Sequence, residues 1–353
     1  MKTSINVGVI GLGFMGSTHF RIHQNHPLAK VVAVADIDEA KRKGDWRKVW
    51  GNIGDANNND PVDMTGIQAY EDAFEMINNP DIDLIDICVP TYLHKQYVLA
   101  ALKAGKNVMT EKPISRTGED ALEILEAYNK SGKSMVVGMC VRYWPEYQHA
   151  YQLIQSGKLG KIKTATFKRV SPNVAGNAWE DWYMNEKRSG GALLDLHLHD
   201  TDVIHYFFGK PKKVTSFGIK GFRSDAGYDH IFTNYEYEEN MLVFSEGSWA
   251  PAAGTPFEMS FLIIGEKGTI RLSETGYKVI YEDGTVENPT PANPDLPTGW
   301  HVEIDYLLKC IAEGVKPEKY LTIEQMVDSI TIVEAEAKSI AEKQTIEINY
   351  PEK

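Results

Sequence analysis

The sequence predicts an α/β protein in which a doubly wound parallel sheet is followed by an α+β domain built on an open, mostly antiparallel sheet. Three observations support this. In the first third of the chain, short apolar runs alternate with helix-forming segments, and a glycine-rich turn follows the first run directly. After residue 142 the pattern changes to strand-like segments in close succession. Alternating strands and helices favour a parallel sheet covered by helices, whereas successive strands favour an antiparallel sheet.

Length and composition fit this division. A single hydrophobic core rarely grows beyond about 250–300 residues, and this chain has 353. Its 42% hydrophobic and 24% charged residues are ordinary for a globular protein. We place the domain boundary after residue 141, so that the two domains span residues 1–141 and 142–353.

In the first domain, apolar and β-branched runs predict five strands, and helix formers between them predict helices. The strands are Ile5–Ile10, Val31–Ala35, Leu84–Val89, Asn107–Thr110 and Ser134–Cys140, and the clearest helices are His94–Ala104 and Glu119–Lys130. The segment Gly51–Gly66 is rich in Asn, Asp and Gly and predicts an inserted surface loop without a function of its own.

In the second domain, six strand-like segments follow one another with few long helices between them. They are Lys161–Val170, Lys212–Ile219, His230–Tyr237, Met241–Trp249, Glu258–Ile264 and Thr269–Leu272. Two predicted helices, Val302–Glu313 and Ile323–Glu342, follow the last strand.

Charge and cysteine content argue against several classes of function. The formal net charge of −12 disfavours nucleic acids and anionic membranes as partners, because both bind basic surfaces. No apolar stretch approaches the ~20 residues needed to span a bilayer. Cys88, Cys140 and Cys310 are too dispersed for a disulfide framework or a zinc site, and we expect the first two to be small buried hydrophobes. A reduced, cytoplasmic location fits this pattern.

The turn Gly11-Leu12-Gly13-Phe14-Met15-Gly16 follows the first predicted strand and opens a helix. In a dinucleotide-binding fingerprint the first glycine permits a tight turn, and the second lets the backbone approach a pyrophosphate. The third allows the helix and the strand to pack closely. The turn therefore predicts a Rossmann domain whose cofactor-binding residues include Gly11, Gly13, Phe14, Met15 and Gly16.

Asp36 ends the second predicted strand, about 20 residues after Gly16, where the fingerprint has an acid. A carboxylate at this place accepts hydrogen bonds from the ribose hydroxyls of NAD and repels the 2′-phosphate of NADP. NAD is therefore the favoured cofactor and NADP the less favoured one. The alternative is a strand-end carboxylate that only caps a turn.

Lys112, in the stretch Thr110-Glu111-Lys112-Pro113, lies where the fourth predicted strand ends. Ligands of open α/β sheets bind at the carboxyl ends of the strands, so this ammonium is a candidate to bind a substrate oxygen. A solvated surface lysine is the alternative. Pro113 fixes the local turn and could hold a cis peptide bond.

The segment Ser189–Asp202 supports two interpretations. As a strand it would place Asp195, His197 and His199 on one face, which resembles a metal site. As a helix it places Asp195, His199, Asp202 and Tyr206 on one face and His197 elsewhere. Apolar residues at helical spacing and a terminal glycine favour the helix. We therefore expect no metal and full activity after chelation.

Gly190 and Gly191 precede this helix, and paired glycines let another group approach the backbone closely. The alternative is a plain core helix with a polar seam.

Together these segments resemble the Gfo/Idh/MocA family of glucose–fructose oxidoreductase, inositol dehydrogenase and the rhizopine-catabolism protein. The resemblance covers most of the chain and includes the glycine turn, Asp36, Cys88-Val89-Pro90-Thr91-Tyr92-Leu93-His94, Glu111-Lys112-Pro113, and Gly190-Gly191 followed by Asp195 and His199. It implies a Rossmann domain followed by an α+β domain. The open sheet of that second domain often forms a subunit interface, which implies a homodimer or homotetramer.

The resemblance also implies site residues. Lys112, Asp195 and His199 match a catalytic set, in which His199 is the general base, Lys112 stabilises the alkoxide and Asp195 orients both. Matches to cofactor positions are Pro90, Thr91, His94, Glu111 and Lys112, and matches to positions near the substrate are Arg142, Trp182 and Tyr183.

The implied activity is NAD-dependent hydride transfer, in either direction, on a secondary alcohol or ketone of a polyol, sugar or cyclitol. Two alternatives stay open. One is a catalytically silent, dinucleotide-sensing regulator, which the retained Lys112 and His199 disfavour, and the other is a glycosidase that uses NAD transiently. His197, where the family commonly has a small residue, and the long Gly51–Gly66 insert leave the substrate open.

Overall fold

A computed structural model describes residues 4–51, 61–238, 240–289 and 295–352. The chain divides into two compact units, Met1–Cys140 with Trp300–Val327 and Val141–Gly299 with Asp328–Lys353. The strands are β1 Ile5–Ile10, β2 Ala29–Ala35, β3 Gln68–Tyr70, β4 Leu84–Ile87, β5 Asn107–Glu111, β6 Met135–Gly138, β7 Ile162–Val170, β8 Lys213–Lys220, β9 Tyr228–Glu236, β10 Leu242–Ser248, β11 Glu258–Gly265, β12 Gly268–Ser273, β13 Gly276–Tyr281, β14 Val286–Glu287 and β15 Ile346–Glu347. The α-helices are α1 Phe14–Asn25, α2 Glu39–Arg42, α3 Ala73–Ile77, α4 His94–Lys103, α5 Gly118–Ser131, α6 Pro145–Gln155, α7 Glu186–Ser189, α8 Leu198–Phe208, α9 Gly299–Glu313 and α10 Ile323–Glu342.

The first unit contains a parallel sheet whose described strands have the order β3-β2-β1-β4-β5-β6. The predicted doubly wound sheet is therefore confirmed. The chain reverses its direction of winding between β1 and β4, where sheets of this kind bind ligands at the carboxyl ends of the strands. Strand β3 was not predicted, because its three residues are exposed or half-buried and form no apolar run.

Helix α9 also belongs to the first unit, although it follows the second unit in the sequence. Its residues Ile304, Leu307 and Leu308 are buried in the same core as Val7 and Val9 of β1. The sequence-based division assigned every residue after 141 to the second domain. It differs from the structure here because the partner of an apolar helix face is not encoded in the helix itself.

The second unit contains a mostly antiparallel sheet of described strands in the order β14-β13-β12-β11-β7-β10-β9-β8-β15. Its central pair, β7 and β10, is parallel, and every other pairing is antiparallel. The predicted open α+β sheet is confirmed. Aromatic side chains join the sheet to its helices, with the ring centroids of Tyr147 and Phe261 5.0 Å apart and those of Phe167 and Phe207 6.2 Å apart.

The predicted insert Gly51–Gly66 falls partly outside the described residues, which exclude residues 52–60. Its described end is not a free surface loop. Val62 and Met64 pack against the core of the first unit, and the Val62 N–H donates to the Gly44 carbonyl at 3.0 Å. Apolar residues at these two places explain why this end of the insert packs inward.

Among the described residues, no helix combines the length and the apolar character that crossing a membrane requires.

Candidate functional site

The glycine turn after β1 gives each of its glycines a different environment. Gly11 has a φ of +83°, in the region that favours glycine, and its N–H donates to the Ala35 carbonyl at 2.7 Å. A methyl group at Gly16 would lie 1.7 Å from the Gly11 carbonyl oxygen, whereas a methyl group at Gly13 would meet no atom within 4 Å. Gly16 therefore lets helix and turn pack, and Gly13 keeps a space in which a ligand can approach the backbone.

Helix α1 begins in this open space. Its N-cap Gly13 has no side-chain cap, and no acidic residue lies in its first turn, all of which is described. The free N–H groups and the helix dipole at such an end favour an anion. The turn therefore fits the pyrophosphate of a dinucleotide.

Asp36 follows β2 beside the glycine turn. Its Oδ2 accepts a hydrogen bond from the Leu12 N–H at 2.6 Å, and its Oδ1 accepts one from the Asp38 N–H at 2.8 Å. Asp36 therefore caps backbone N–H groups, as expected for a strand-end carboxylate that caps a turn. One of the capped groups, the Leu12 N–H, belongs to the glycine turn itself. Its contact with a ribose stays a prediction.

Lys112 directly follows β5, and the Lys112–Pro113 peptide bond is cis. The Lys112 N–H donates to Glu111 Oε2 at 3.1 Å. The buried ring of His94 lies between two backbone oxygens, with Nδ1 2.6 Å from the Pro113 carbonyl and Nε2 2.8 Å from the Val89 carbonyl. His94 therefore ties the loop after β4 to the loop after β5. The cofactor contacts predicted for Pro90, Thr91, His94, Glu111 and Lys112 stay predictions.

A buried polar cluster lies beneath this loop in the first unit. Asp86 of β4 contacts two histidines of α1, with 3.0 Å to His19 Nδ1 and 2.8 Å to His23 Nε2. On the other side of its ring, His19 Nε2 lies 3.3 Å from Glu111 Oε1. Burial opposes ionisation of Asp86, but the two histidines outweigh it and lower its pKa.

Cys88 and Glu303 complete the cluster. The Cys88 sulfur lies 3.4 Å from Asp86 Oδ1 and 3.5 Å from His19 Nδ1, so the expectation of a simple buried hydrophobe is wrong for Cys88. Glu303 of α9 is fully buried, and neither carboxyl oxygen has a hydrogen-bond partner among the described residues. Burial and the nearby Glu111 raise the pKa of Glu303 well above its usual value.

Two groupings in this cluster offer ligand atoms close enough for a metal ion, namely His19 with Asp86 and Cys88, and His19 with Glu111 and Glu303. Within the described part of the chain, neither grouping includes Asp195, His197 or His199. Absence of metal from the site of those three residues stays a prediction.

In the second unit, the segment predicted as either strand or helix is helical. It begins with a π-turn, Leu193–His197, and continues as α8 to Phe208, with Gly209 after it at a φ of +80°. The helix interpretation is confirmed, but the α-helical spacing assumed for Asp195 and His199 is not, because the first turn has the wider π hydrogen-bonding pattern.

Asp195 and His199 share one property within this helix. From Gly191 to His205, all of which is described, every residue except these two is buried. A carboxylate and an imidazole are therefore the only side chains that this stretch offers to a ligand.

The glycine pair before the helix has positive φ angles and lies close to another backbone segment. Gly190 and Gly191 have φ values of +88° and +70°. A methyl group at Gly191 would lie 2.9 Å from the Tyr228 backbone nitrogen and 3.0 Å from the Gly227 Cα. The group that approaches Gly191 is the backbone of Gly227 and Tyr228 at the start of β9, so close approach of another group is confirmed for Gly191 and needs no ligand.

Trp182 and Tyr183 stack on each other with ring centroids 4.1 Å apart, and both are half-buried. The Ser189 hydroxyl donates to the Tyr183 carbonyl at 2.7 Å and fixes this loop. Glu180 and Asp181, just before it, have φ values of 47° and 48°, a strained region for residues with side chains. The loop is thus held in a defined shape, and its role as a substrate wall stays a prediction.

Arg142 is fully buried and forms a bidentate ion pair with Asp202 of α8, with 2.7 Å for both Nε–Oδ2 and Nη2–Oδ1. Arg169 of β7 forms a similar pair with Asp200 at 3.0 Å for both bonds. These pairs anchor α8, and they give Arg142 a structural role. Its predicted contact with a substrate stays a prediction.

The structure thus groups Asp36 with the glycine turn, His94 and Glu111 with Lys112, and Asp195 with His199. Sequence reasoning did not find His19, Glu303, Arg169 or Asp200. It placed Asp202 on one helix face with Asp195 and His199, but in the structure Asp202 is fully buried against Arg142. One indication existed for His19, since His19 and His23 are polar residues four apart on a helix.

Comparisons with known proteins agree with this architecture. A family model described as "Oxidoreductase family, NAD-binding Rossmann fold" matches residues 5–139. A second model, described as "GFO/IDH/MocA C-terminal domain", matches residues 147–271.

Among similar proteins, a 2,7-anhydro-N-acetylneuraminate hydratase of Escherichia coli (strain K12) is 28% identical over 279 residues, which cover 76% of this chain and 67% of that protein. The NADP-dependent scyllo-inositol 2-dehydrogenase IolW of Bacillus subtilis (strain 168) is 24% identical over 98% of this chain and 97% of its own length. A solved levoglucosan dehydrogenase in complex with NADH and levoglucosan shares the fold, with a TM-score of 0.83 and 22% identity over 98% of this chain and 99% of that one.

Proposed function

The chain belongs to the Gfo/Idh/MocA family of oxidoreductases, and from this we propose that it is an NAD-dependent dehydrogenase. Its reaction transfers a hydride between nicotinamide and a secondary alcohol or ketone of a sugar or cyclitol. The observation that supports this most is the pairing of an accessible carboxylate, Asp195, with an accessible imidazole, His199, on an otherwise buried helical stretch. Such a pair suits proton transfer to and from a hydroxyl. Oxidation of a polyol, followed as NADH formation, tests it.

Several residues of the first unit would hold NAD. The open space at Gly13 and the uncapped N-terminus of α1 suit its pyrophosphate. Asp36 lies beside this turn and suits the adenosine ribose. When bound, NAD supplies the nicotinamide that accepts or donates the hydride.

The protein's own residues move and hold the proton. We propose that His199 takes the hydroxyl proton as general base, while the Lys112 ammonium stabilises the developing negative charge on the oxygen. Asp195 orients the imidazole. In the reverse direction His199 returns the proton to the carbonyl oxygen.

Two alternative activities would give products different from those of a dehydrogenase. A silent dinucleotide sensor binds NAD without forming NADH in the presence of any polyol. A glycosidase, or a hydratase like the relative from Escherichia coli, releases product without net NADH. The accessible Asp195–His199 pair favours a working enzyme over a sensor.

We predict that Asp36→Asn narrows the preference for NAD over NADP. The substitution keeps an acceptor oxygen for the Leu12 or Asp38 N–H but removes the negative charge that repels a 2′-phosphate. Titration of both cofactors against wild type and variant measures the change.

The matched control is Asp38→Asn, which removes a neighbouring carboxylate whose Oδ1 caps the Ala40 N–H. It should leave the ratio of the two affinities unchanged. A wild-type preference for NADP, or an equal narrowing in both variants, would contradict the assignment to Asp36.

The proposal includes a homo-oligomer formed through the sheet of the second unit. Phe217, Phe232 and Phe244 lie on adjacent strands of this sheet and are 67%, 50% and 44% exposed. Phe217 and Phe232 are directly opposite each other in the β8–β9 register. An exposed aromatic surface of this kind is typical of an interface.

We predict that Phe232→Lys combined with Phe244→Lys gives a smaller assembly, because each change would bury a charge against a partner. Size-exclusion chromatography with light scattering measures the mass. Phe222→Lys is the control, since Phe222 is 57% exposed but lies in a loop outside the strands. A wild type that is already monomeric, or a double variant of unchanged mass, would disprove the interface.

The proposed ligands are small polyols, with neither nucleic acid nor membrane as a partner. The net charge of −12 supports this. A cytoplasmic location belongs to the same proposal and is supported by Cys88, Cys140 and Cys310, none of which forms a disulfide bond.

A further inference from the structure

His197 lies in the middle of the helical segment that presents Asp195 and His199, yet it has no place in the proposed chemistry. Its side chain is fully buried. It is the last residue of the π-turn Leu193–His197, and α8 begins immediately after it. Its contacts therefore act at the junction between two kinds of helical turn.

The imidazole of His197 faces a buried polar group formed by other elements of the second unit. His197 Nε2 lies 3.4 Å from the Tyr235 hydroxyl of β9 and 3.6 Å from Glu336 Oε2 of α10. Glu336 Oε1 accepts hydrogen bonds from the Tyr235 hydroxyl at 2.6 Å and from the Thr201 hydroxyl at 3.1 Å. The Tyr235 and Thr201 hydroxyls thus hold the Glu336 carboxylate in place, and this fixed carboxylate is a defined partner for the His197 ring.

The sheet leaves room for this ring at one residue. A methyl group at Gly247 of β10 would lie 2.4 Å from His197 Nδ1 and 2.7 Å from its Cβ. Gly247 lies inside a regular strand without a positive φ, so its backbone conformation does not require glycine. Space for His197 is the physical reason for a glycine at this place.

The π-turn determines how Asp195 and His199 are oriented. In an α-helix, residues four apart lie on one face, but a π-turn holds an additional residue and rotates the side chains before it relative to those after it. Asp195 lies inside this π-turn and His199 lies two residues after it, so converting the turn to α-helix would rotate Asp195 relative to His199. The two accessible side chains therefore depend on the π-turn for their mutual orientation.

We propose that His197 is a positioning residue, which fixes the π-turn through Tyr235 and Glu336 and thereby orients Asp195 toward His199. The expected effect of His197 on turnover rests on the proposed function. The expected effect of His197 on the conformation of the π-turn does not.

The structural test uses His197→Ala and needs no substrate. Without the ring, the π-turn loses its buried polar contacts, and we expect a crystal structure of the variant to show an α-helical turn with Asp195 rotated. An unchanged π-turn, with Asp195 and His199 in their original places, would overturn the proposal.

The kinetic test compares His197→Ala with His197→Gln, which keeps a side chain able to hydrogen-bond to Tyr235 or Glu336. We expect kcat of the alanine variant to fall roughly 10- to 100-fold, the effect of misplacing a reacting group. Its KM should change less and its NAD affinity should not change. The glutamine variant should recover part of kcat. Equal kcat in wild type and His197→Ala, with only a lower Tm, would show a merely structural residue.

Gly247→Ala tests the contact between His197 and β10 by changing the strand and not the histidine. It replaces His197→Ala as the test if that variant does not fold. Its methyl group should displace the ring and lower kcat while NAD affinity stays unchanged. In the double variant with His197→Ala, the methyl group occupies the space of the lost ring, so Tm should recover whereas kcat should not. A Gly247→Ala variant with wild-type kcat contradicts the proposal. If the wild type itself oxidises no polyol, the proposed function fails, and the crystal structure of the His197 variant still decides the positioning.

Discussion

Alanine at Lys112 or at His199 should lower turnover by roughly 10²–10⁴-fold, the range typical of acid–base groups. His199 is one of two accessible side chains on a buried helical stretch, and Lys112 follows directly after β5 at the ligand-binding edge of a parallel sheet. Their loss removes proton transfer and charge stabilisation but leaves the glycine turn intact. NAD affinity should therefore change little in His199→Ala, and in Lys112→Ala it should fall much less than turnover, because Lys112 is only one of the predicted cofactor contacts.

Steady-state kinetics with the best substrate, together with NAD titration, measure both effects. Lys130→Ala controls for the loss of a lysine of the first unit, because Lys130 is 73% exposed on α5. His149→Ala controls for the loss of a half-buried histidine of the second unit, where it contacts the Tyr277 hydroxyl at 2.9 Å. Near-normal turnover in Lys112→Ala or His199→Ala would show that the wrong residues are named.

Gly16→Ala should abolish measurable NAD binding and lower Tm. The new methyl group would lie 1.7 Å from the Gly11 carbonyl oxygen, a backbone atom that cannot rotate away. Helix α1 must then move off the turn, and overpacking of this kind destabilises a protein by about 1–3 kcal/mol or more. The N–H groups that suit a pyrophosphate move with the helix.

Gly13→Ala is the matched variant for this prediction, since its methyl group meets no protein atom within 4 Å. It should keep the Tm of the wild type without NAD, yet bind NAD more weakly because the methyl group enters the open space. Thermal melts with and without NAD separate the two effects. Wild-type NAD affinity in Gly16→Ala, or in Gly13→Ala, would disprove the placement of the pyrophosphate at this turn.

The elements that sequence predicted well are those with a complete local pattern. Strand β1 and helix α10 were predicted with their observed bounds, because a β-branched run and a long apolar periodicity define them without help from the rest of the chain. Strand β3, with three poorly buried residues, has no such pattern. Helix α9 was predicted as a helix but not as part of the first unit, because its packing partner lies far away in the sequence.

The candidate site divides in the same way. The roles of Gly11 and Gly16 follow from backbone conformation and close packing, which a glycine motif encodes locally. The buried cluster of Asp86, His19 and Glu303 joins three elements, and no spacing in the sequence relates them. The π-turn could not be predicted for a similar reason. Its residues suit an α-helix equally well, and only contacts with residues distant in the sequence distinguish a π-turn from an α-helical turn here.

The most direct test of the central claim is NADH formation by the wild-type protein, pretreated with EDTA, over a panel of sugars, cyclitols and other polyols. At least one compound should yield NADH in equal amount to its ketone, at the same rate as without EDTA. Absence of NADH with every compound, or release of product without net NADH, would contradict a dehydrogenase. Loss of activity that added zinc restores would contradict the metal-free role assigned to Asp195 and His199.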